Sequence, residues 1–250
     1  MDFKISIALP VKAGNVKTSA NLIEKALTLE PQFIELRWDY LEDVNSLTES
    51  FVSALMELIP PNVSLISTFR SPSEGGNTAI EEQKRMEILR MLIAMAPDYV
   101  DVEMQTEKAR LRKLINLALK NDVKLIFSHH DFQKTPSYEE GKAILNEFLK
   151  ELVMICTSKT DCSGPFLYKM IFTAQTFKDN LTTMHLCKHF SSQGRDRAII
   201  SFCMGDLGIF SRIACVRAGS FLTYASLTNE TAPGQIDAET LRKAINLLNS

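Results

Sequence analysis

The run PFLYKMIFTAQ, from Pro165, places one lysine, Lys169, among residues that otherwise read as a buried strand. An ammonium taken out of water is costly, so such a lysine reaches solvent, pairs with a carboxylate, or gives up its proton. Glu35 and Glu103 are candidate partners for pairing. If the lysine is catalytic instead, burial lowers its pKa and leaves a neutral amine able to condense with a ketone or aldehyde, giving an imine. The neighbouring pair His129 and His130 offers a proton carrier that titrates near neutrality. Adjacent strand residues point to opposite faces, so only one of the two serves the site, and periodicity does not say which.

Other ionisable groups collect where strands should end. Glu35, Arg37 and Asp39 share one face of a strand by their spacing of two, Arg70 ends another, and Asp101 with Glu103 ends a third. The stretch FRSPSEGGNT follows with an arginine, the glutamate Glu74 and two glycines that permit a tight turn. Arg212, within GIFSRIACV, is placed to take a carboxylate in a two-point contact, or to lie on a helix surface. In NETAPGQID, from Asn229, a Pro-Gly turn presents Thr231 and Gln235 to a hydroxylated or carboxylated ligand. His185 and His189, with Cys187 between them, have the spacing of two metal ligands but no third nearby in sequence, and a solvated helix face explains them better.

These residues need a frame to bring them together. Short β-branched or aromatic runs begin at Ile5, Phe33, Ser64, Tyr99, Lys124, Phe166, Ala198 and Ser220, and each is followed by a segment of helical periodicity. Clear helices are IEEQKRMEILRMLIAMA from Ile80, EKARLRKLINLALK from Glu107 and YEEGKAILNEFLKELVMI from Tyr138; Asp237 caps the last. Eight strand–helix units in a chain of 250 residues predict a single-domain α/β fold, a closed (β/α)8 barrel over residues 1–250. No glycine-rich dinucleotide fingerprint follows the first strand. A barrel carries its chemistry at the C-terminal ends of its strands, which is where the ionisable residues fall.

Composition narrows the partners. The net charge of −2 and the absence of a lysine or arginine block argue against nucleic acid and membrane surfaces and favour a small-molecule ligand. Five cysteines, Cys156, Cys162, Cys187, Cys203 and Cys215, without short paired spacings fit neither a disulfide framework nor a zinc knuckle. With no apolar run of about 18 residues and no leader-like N-terminus, the expectation is a cytoplasmic protein.

Taken in order, ELRWD at Glu35, TFRSPSEGG at Thr68, VDVEM at Val100, SHHDFQKTP at Ser128, the Lys169 strand, MGDLGIFSR at Met204, GSFLTYASL and APGQI at Ala232 resemble the type I 3-dehydroquinate dehydratases of the shikimate pathway, over nearly the whole chain. The resemblance implies a lyase that dehydrates 3-dehydroquinate to 3-dehydroshikimate through a Schiff base on Lys169, on the way to chorismate and aromatic amino acids. It selects His130 over His129 as the proton carrier and makes Glu74 its companion. Glu35, Arg37 and Arg70 become contacts to ring hydroxyls, Arg212 the partner of the substrate carboxylate, and Thr231 with Gln235 the lid. Asp39 and Asp101 become groups that orient these side chains. No metal, nucleotide or other cofactor is implied, and a homodimer is.

Two departures accompany the resemblance. Thr231 stands where the family often has serine, and the chain starts almost at the first strand, without the hairpin some members place under the barrel, so side chains must close the floor. Rival readings are another imine-forming barrel of the class I aldolase type, which would share the lysine, and a non-catalytic carboxylate-binding barrel.

Overall fold

The computed structural model describes residues 3–156, 166–193, 198–227 and 231–248; Cys162, Pro165 and Asn229 lie outside them. Strands β1 (Ile5–Pro10), β2 (Phe33–Arg37), β3 (Ser64–Thr68), β4 (Tyr99–Glu103), β5 (Lys124–Asp131), β6 (Leu167–Thr173), β7 (Ala198–Met204) and β8 (Thr223–Ser226) alternate with helices α1 (Val16–Leu27), α2 (Glu49–Met56), α3 (Glu82–Ala94), α4 (Lys108–Lys120), α5 (Tyr138–Ile155), α6 (Asp179–Ser191), α7 (Ile209–Ala218) and α8 (Ala238–Leu247). Every strand pair is parallel, and the order runs β7-β6-β5-β4-β3-β2-β1-β8. At the remaining seam the Phe221 N–H donates to the Ile199 carbonyl (2.7 Å). The result is the expected (β/α)8 barrel, nearly closed.

Local sequence starts the helices where the pattern requires. Asn15 caps α1, Thr48 caps α2, and Ser137 with Glu140 forms a reciprocal capping box on α5. The Asp237 side chain accepts from the Thr240 N–H at the start of α8, as its position predicts.

Outward-facing strand residues form the layer between sheet and helices. Phe127 of β5 packs on Phe148 of α5 (ring centroids 5.0 Å), and buried Trp38 meets Phe51 of α2 (6.0 Å) while its indole N–H donates to Ser67 Oγ (2.7 Å). The floor of the barrel is aromatic. Phe33 at the start of β2 touches Tyr99 at the start of β4 (5.7 Å) and Phe221 before β8 (5.8 Å), while Lys4 and Lys124 lay their amines over Phe221 and Tyr99. Side chains close this end.

The expected second strand is too long. β2 stops at Arg37, and Trp38–Tyr40 turns as a 3-10 helix, so Asp39 does not continue the inward stripe of Glu35 and Arg37. The turn folds Asp39 back onto Arg37 instead. The eighth strand is also shorter than expected, beginning at Thr223 rather than Ser220, because Ser220 turns its hydroxyl onto the Leu222 carbonyl.

Candidate active site

β6 turns Lys169 into the barrel, where 5% of the residue is exposed. Its Nζ lies 3.2 Å from Asp101 Oδ2 and 3.8 Å from Glu35 Oε1, over the face of the Tyr224 ring (4.5 Å to the centroid). The expectation of an amine among apolar groups therefore needs correcting. Leu167 and Ile171 flank Lys169 along its own strand, but the inward stripes of β2 and β4 bring two carboxylates across the barrel. Of the partners anticipated, Glu35 is present and Glu103 is not; Asp101 takes its place.

Each carboxylate is held in turn. Thr68 Oγ1 donates to Glu35 Oε1 (2.8 Å). Asp101 accepts from Arg70 Nη2 (2.7 Å), while Ser128 Oγ donates to its other oxygen (2.6 Å). Burial acts to raise the Asp101 carboxyl, but Arg70 and Lys169 outweigh it and hold the group below its ordinary range.

His130, two residues beyond inward-facing Ser128 on β5, faces the same space. Glu74 Oε2 accepts from the His130 backbone N–H (2.9 Å) and lies 2.9 Å from its Nδ1, so Nε2 is the ring nitrogen left for a ligand. Burial pushes the Glu74 carboxyl up to about 8, against the pull of Arg70. Burial, then the positive charges of Arg70 and Lys169, push the His130 imidazole well down. Glu74 ends a single 3-10 turn, Pro72–Glu74, closed by Gly75 at φ +80°. A side chain on Gly75 would strike the Phe132 ring, and one on Gly76 the Arg70 carbonyl, so the two glycines let this turn pack tightly behind the imidazole. His129 faces away, half-buried, with its ring against Phe172 (5.8 Å).

The opposite wall is built from the last third of the chain. Arg212 is 1% exposed rather than on a helix surface; its guanidinium lies over the Phe202 ring (4.5 Å) and donates to the Tyr224 and Pro233 carbonyls. Gln235 Oε1 accepts from both the backbone N–H (2.7 Å) and hydroxyl (3.1 Å) of Thr231, and its amide donates to the Ala225 carbonyl. Arg37 is clamped by Asp39 through two bonds of 2.8 Å and reaches the Thr231 carbonyl, tying the β2 turn to this segment.

All nine anticipated residues, Glu35, Arg37, Arg70, Glu74, His130, Lys169, Arg212, Thr231 and Gln235, line one pocket of about 460 Å³. Tyr224 and Met204 also line it, with Gly75, Phe132, Ile171, Phe202 and Ala232. Sequence reasoning missed Tyr224, because alternation along β8 does not say which of its two faces turns inward. His185, Cys187 and His189 do not converge: Cys187 is buried against the Ser201 carbonyl, whereas His185 is exposed and packs its ring edge-on to Tyr138. Among the described residues no group of three or more His, Cys, Asp or Glu side chains is placed to hold a metal.

Such a pocket joins a buried amine, an imidazole held by a carboxyl, and an arginine presented on the far wall. It suits imine chemistry on a small anionic carbonyl compound. The family model described as type I 3-dehydroquinase matches residues 7–250. A 3-dehydroquinate dehydratase of Listeria welshimeri is 31% identical over 246 residues, 97% of this chain and 92% of that protein, and one of Thermococcus onnurineus is 30% identical over 232 residues, 93% and 94%. Among solved structures, the type I 3-dehydroquinate dehydratase of Clostridium difficile, carrying covalently modified comenic acid, superposes with a TM-score of 0.82 at 28% identity, covering 98% of this chain and 91% of that one. The Enterococcus faecalis 3-dehydroquinate dehydratase gives 0.81 at 26% identity, covering 98% and 94%. The family model and these relatives cover nearly the whole chain, and on that ground the chain belongs to the type I 3-dehydroquinase family.

Proposed function

We propose that this chain, as one catalytic domain over residues 1–250, dehydrates 3-dehydroquinate to 3-dehydroshikimate in the shikimate pathway, with Lys169 as the imine-forming amine. The observation that carries the reading is the pairing, within one pocket, of a buried amine with an imidazole oriented by Glu74 on the neighbouring strand.

Lys169 Nζ attacks the C3 ketone and water leaves, giving a protonated imine. Its C=N⁺ bond draws electrons from C2, so His130 Nε2 can remove the C2 proton and leave an enamine. The enamine expels the C1 hydroxyl, to which the now protonated His130 returns a proton, and water departs. A second water hydrolyses the conjugated imine and frees the lysine. Two waters are released and one consumed, so the balance is loss of one water from the substrate. The imine itself is the electron sink, and the sequence of steps calls on no metal or nucleotide.

Arg212 takes the substrate carboxylate in a two-point contact, and Thr231 and Gln235 cover that end. Glu35, Arg37 and Arg70 receive the ring hydroxyls. Asp39 and Asp101 hold Arg37 and Arg70 in place, and Asp101 also reaches the amine. We take the protein to be a cytoplasmic homodimer acting on a small molecule, with neither nucleic acid nor membrane as partner; among the described residues no helix is long and apolar enough to cross a membrane. Dimerisation is tested by light scattering of the purified chain. The reaction is tested by following the ultraviolet absorbance of the conjugated product. The unchanged protein converts 3-dehydroquinate and Lys169→Ala does not; no conversion by the unchanged, folded protein would overturn the reading.

A further inference from the structure

Strand register sets Glu103 level with Ser128 and Lys169 on the neighbouring strands, yet the carboxylate that reaches the amine is Asp101, one inward step lower. Glu103 is engaged elsewhere. Its Oε1 accepts from the Ser71 N–H (2.8 Å) and from Arg70 Nη1 (3.3 Å), and its Oε2 accepts from Arg85 Nη1 (2.7 Å). Arg85 stands on α3, outside the strand layer, with only 2% exposed. Glu82, one turn earlier, fixes it with bonds of 2.8 and 3.0 Å. Charges of alternating sign thus run from the helix surface to the amine: Glu82, Arg85, Glu103, Arg70, Asp101 and Lys169.

Arg70 lies between two buried carboxylates that compete for it, closer to Asp101 (2.7 Å) than to Glu103 (3.3 Å). In a poorly screened interior an uncompensated carboxylate draws the nearest cation strongly. We propose that Arg85 is a positioning residue for imine formation, neutralising Glu103 from the helix side so that Arg70 stays on Asp101; this rests on the reading of Lys169 given above. Without Arg85 the guanidinium of Arg70 moves toward Glu103. Asp101 then offers its whole charge to Lys169 Nζ, 3.2 Å away, and holds the amine back from the ketone it must attack.

The test mixes the full chain with 3-dehydroquinate, quenches with borohydride at set times and measures the rate of adduct formation by intact mass. Arg85→Met slows adduct formation by about tenfold or more, the size expected for charged neighbours that act as a unit. Arg85→Lys, which keeps the charge, stays within about threefold of the unchanged protein, as does Arg85→Met combined with Glu103→Gln, which removes the stranded carboxylate. If Arg85→Met does not fold, Arg85→Gln replaces it and the contrast between Gln and Lys decides. Arg85→Met reacting at the unchanged rate would overturn the proposal. So would an Arg85→Lys and a double variant both as slow as Arg85→Met, with melting temperatures lowered alike, since that is the pattern of an arginine that merely pins α3. An unlabelled, folded wild type overturns the Lys169 reading and this proposal with it, whereas a labelled wild type with indifferent variants overturns Arg85 alone.

Discussion

The two ends of this barrel are made by the same inward stripes and have opposite chemistry. On β2 the stripe runs Phe33, Glu35, Arg37; on β4 it runs Tyr99, Asp101, Glu103. Each strand starts with a ring and ends with charge. At the floor, rings pack tilted or edge to face within 6 Å and two lysines at the rim lie over them. This arrangement gains from apolar burial and keeps its cations near water. At the mouth, Arg37, Arg70, Lys169 and their carboxylates are nearly all buried, where desolvation costs about as much as pairing returns. The floor holds the barrel together, and the mouth spends stability on a set of charges that a ligand can use.

That contrast can be broken from either end. The largest effect belongs to the mouth: His130→Ala slows turnover by about 10³-fold, the usual worth of a positioned acid–base group, while imine formation with 3-dehydroquinate survives in single-turnover measurements. His129→Ala, on the outward face, stays within about threefold. Equal loss from the two histidines would remove the distinction between faces on which the site depends.

At the floor the expected cost is structural. Phe33→Ala lowers unfolding free energy by about 3–5 kcal/mol in denaturant titrations, the range for deleting a buried ring, while kcat of the folded fraction is retained. A floor substitution that spared stability and abolished turnover would show that the two ends are not separable.

A smaller change sharpens the mouth itself. Burial raises the Glu74 carboxyl from its ordinary 4.5 to about 8. The base-competent pair has lost that proton, with Nδ1–H donating to a Glu74 carboxylate and Nε2 free. The deprotonated fraction grows as pH rises through the folded value, so kcat/KM increases between about pH 7 and pH 9, half complete near pH 8, and then levels. Glu74→Gln, whose amide oxygen accepts the same bonds without titrating, flattens that rise; an unchanged slope would assign the titration to another group.

How much of this was legible in the sequence follows from which forces act locally. Period-two alternation places Phe33, Glu35 and Arg37 on one stripe and Lys169 on another with Leu167 and Ile171, because alternation is fixed by the backbone alone, whereas packing decides which stripe turns inward. Alternation fails at Asp39, where the chain leaves the strand for a 3-10 turn and folds back to clamp Arg37. The choice between His129 and His130 was closed to periodicity; it depends on strand register and on Glu74 arriving from a loop 56 residues away. The partner of Lys169 was harder still. Register favours Glu103, but Arg85 and the Ser71 amide draw that carboxylate off, and neither belongs to a neighbouring strand. One signal was available: Arg85 falls in line with Leu89 and Leu92 on the buried stripe of α3, and a charge on an apolar stripe calls for a partner.

The central claim is that Lys169 is the amine that attacks the substrate ketone. It is tested most directly by borohydride reduction of the protein with 3-dehydroquinate, followed by peptide mapping. The account predicts one reduced adduct, on Lys169, and none in Lys169→Ala. An adduct on a different lysine, or full turnover with no trappable adduct at all, would contradict it.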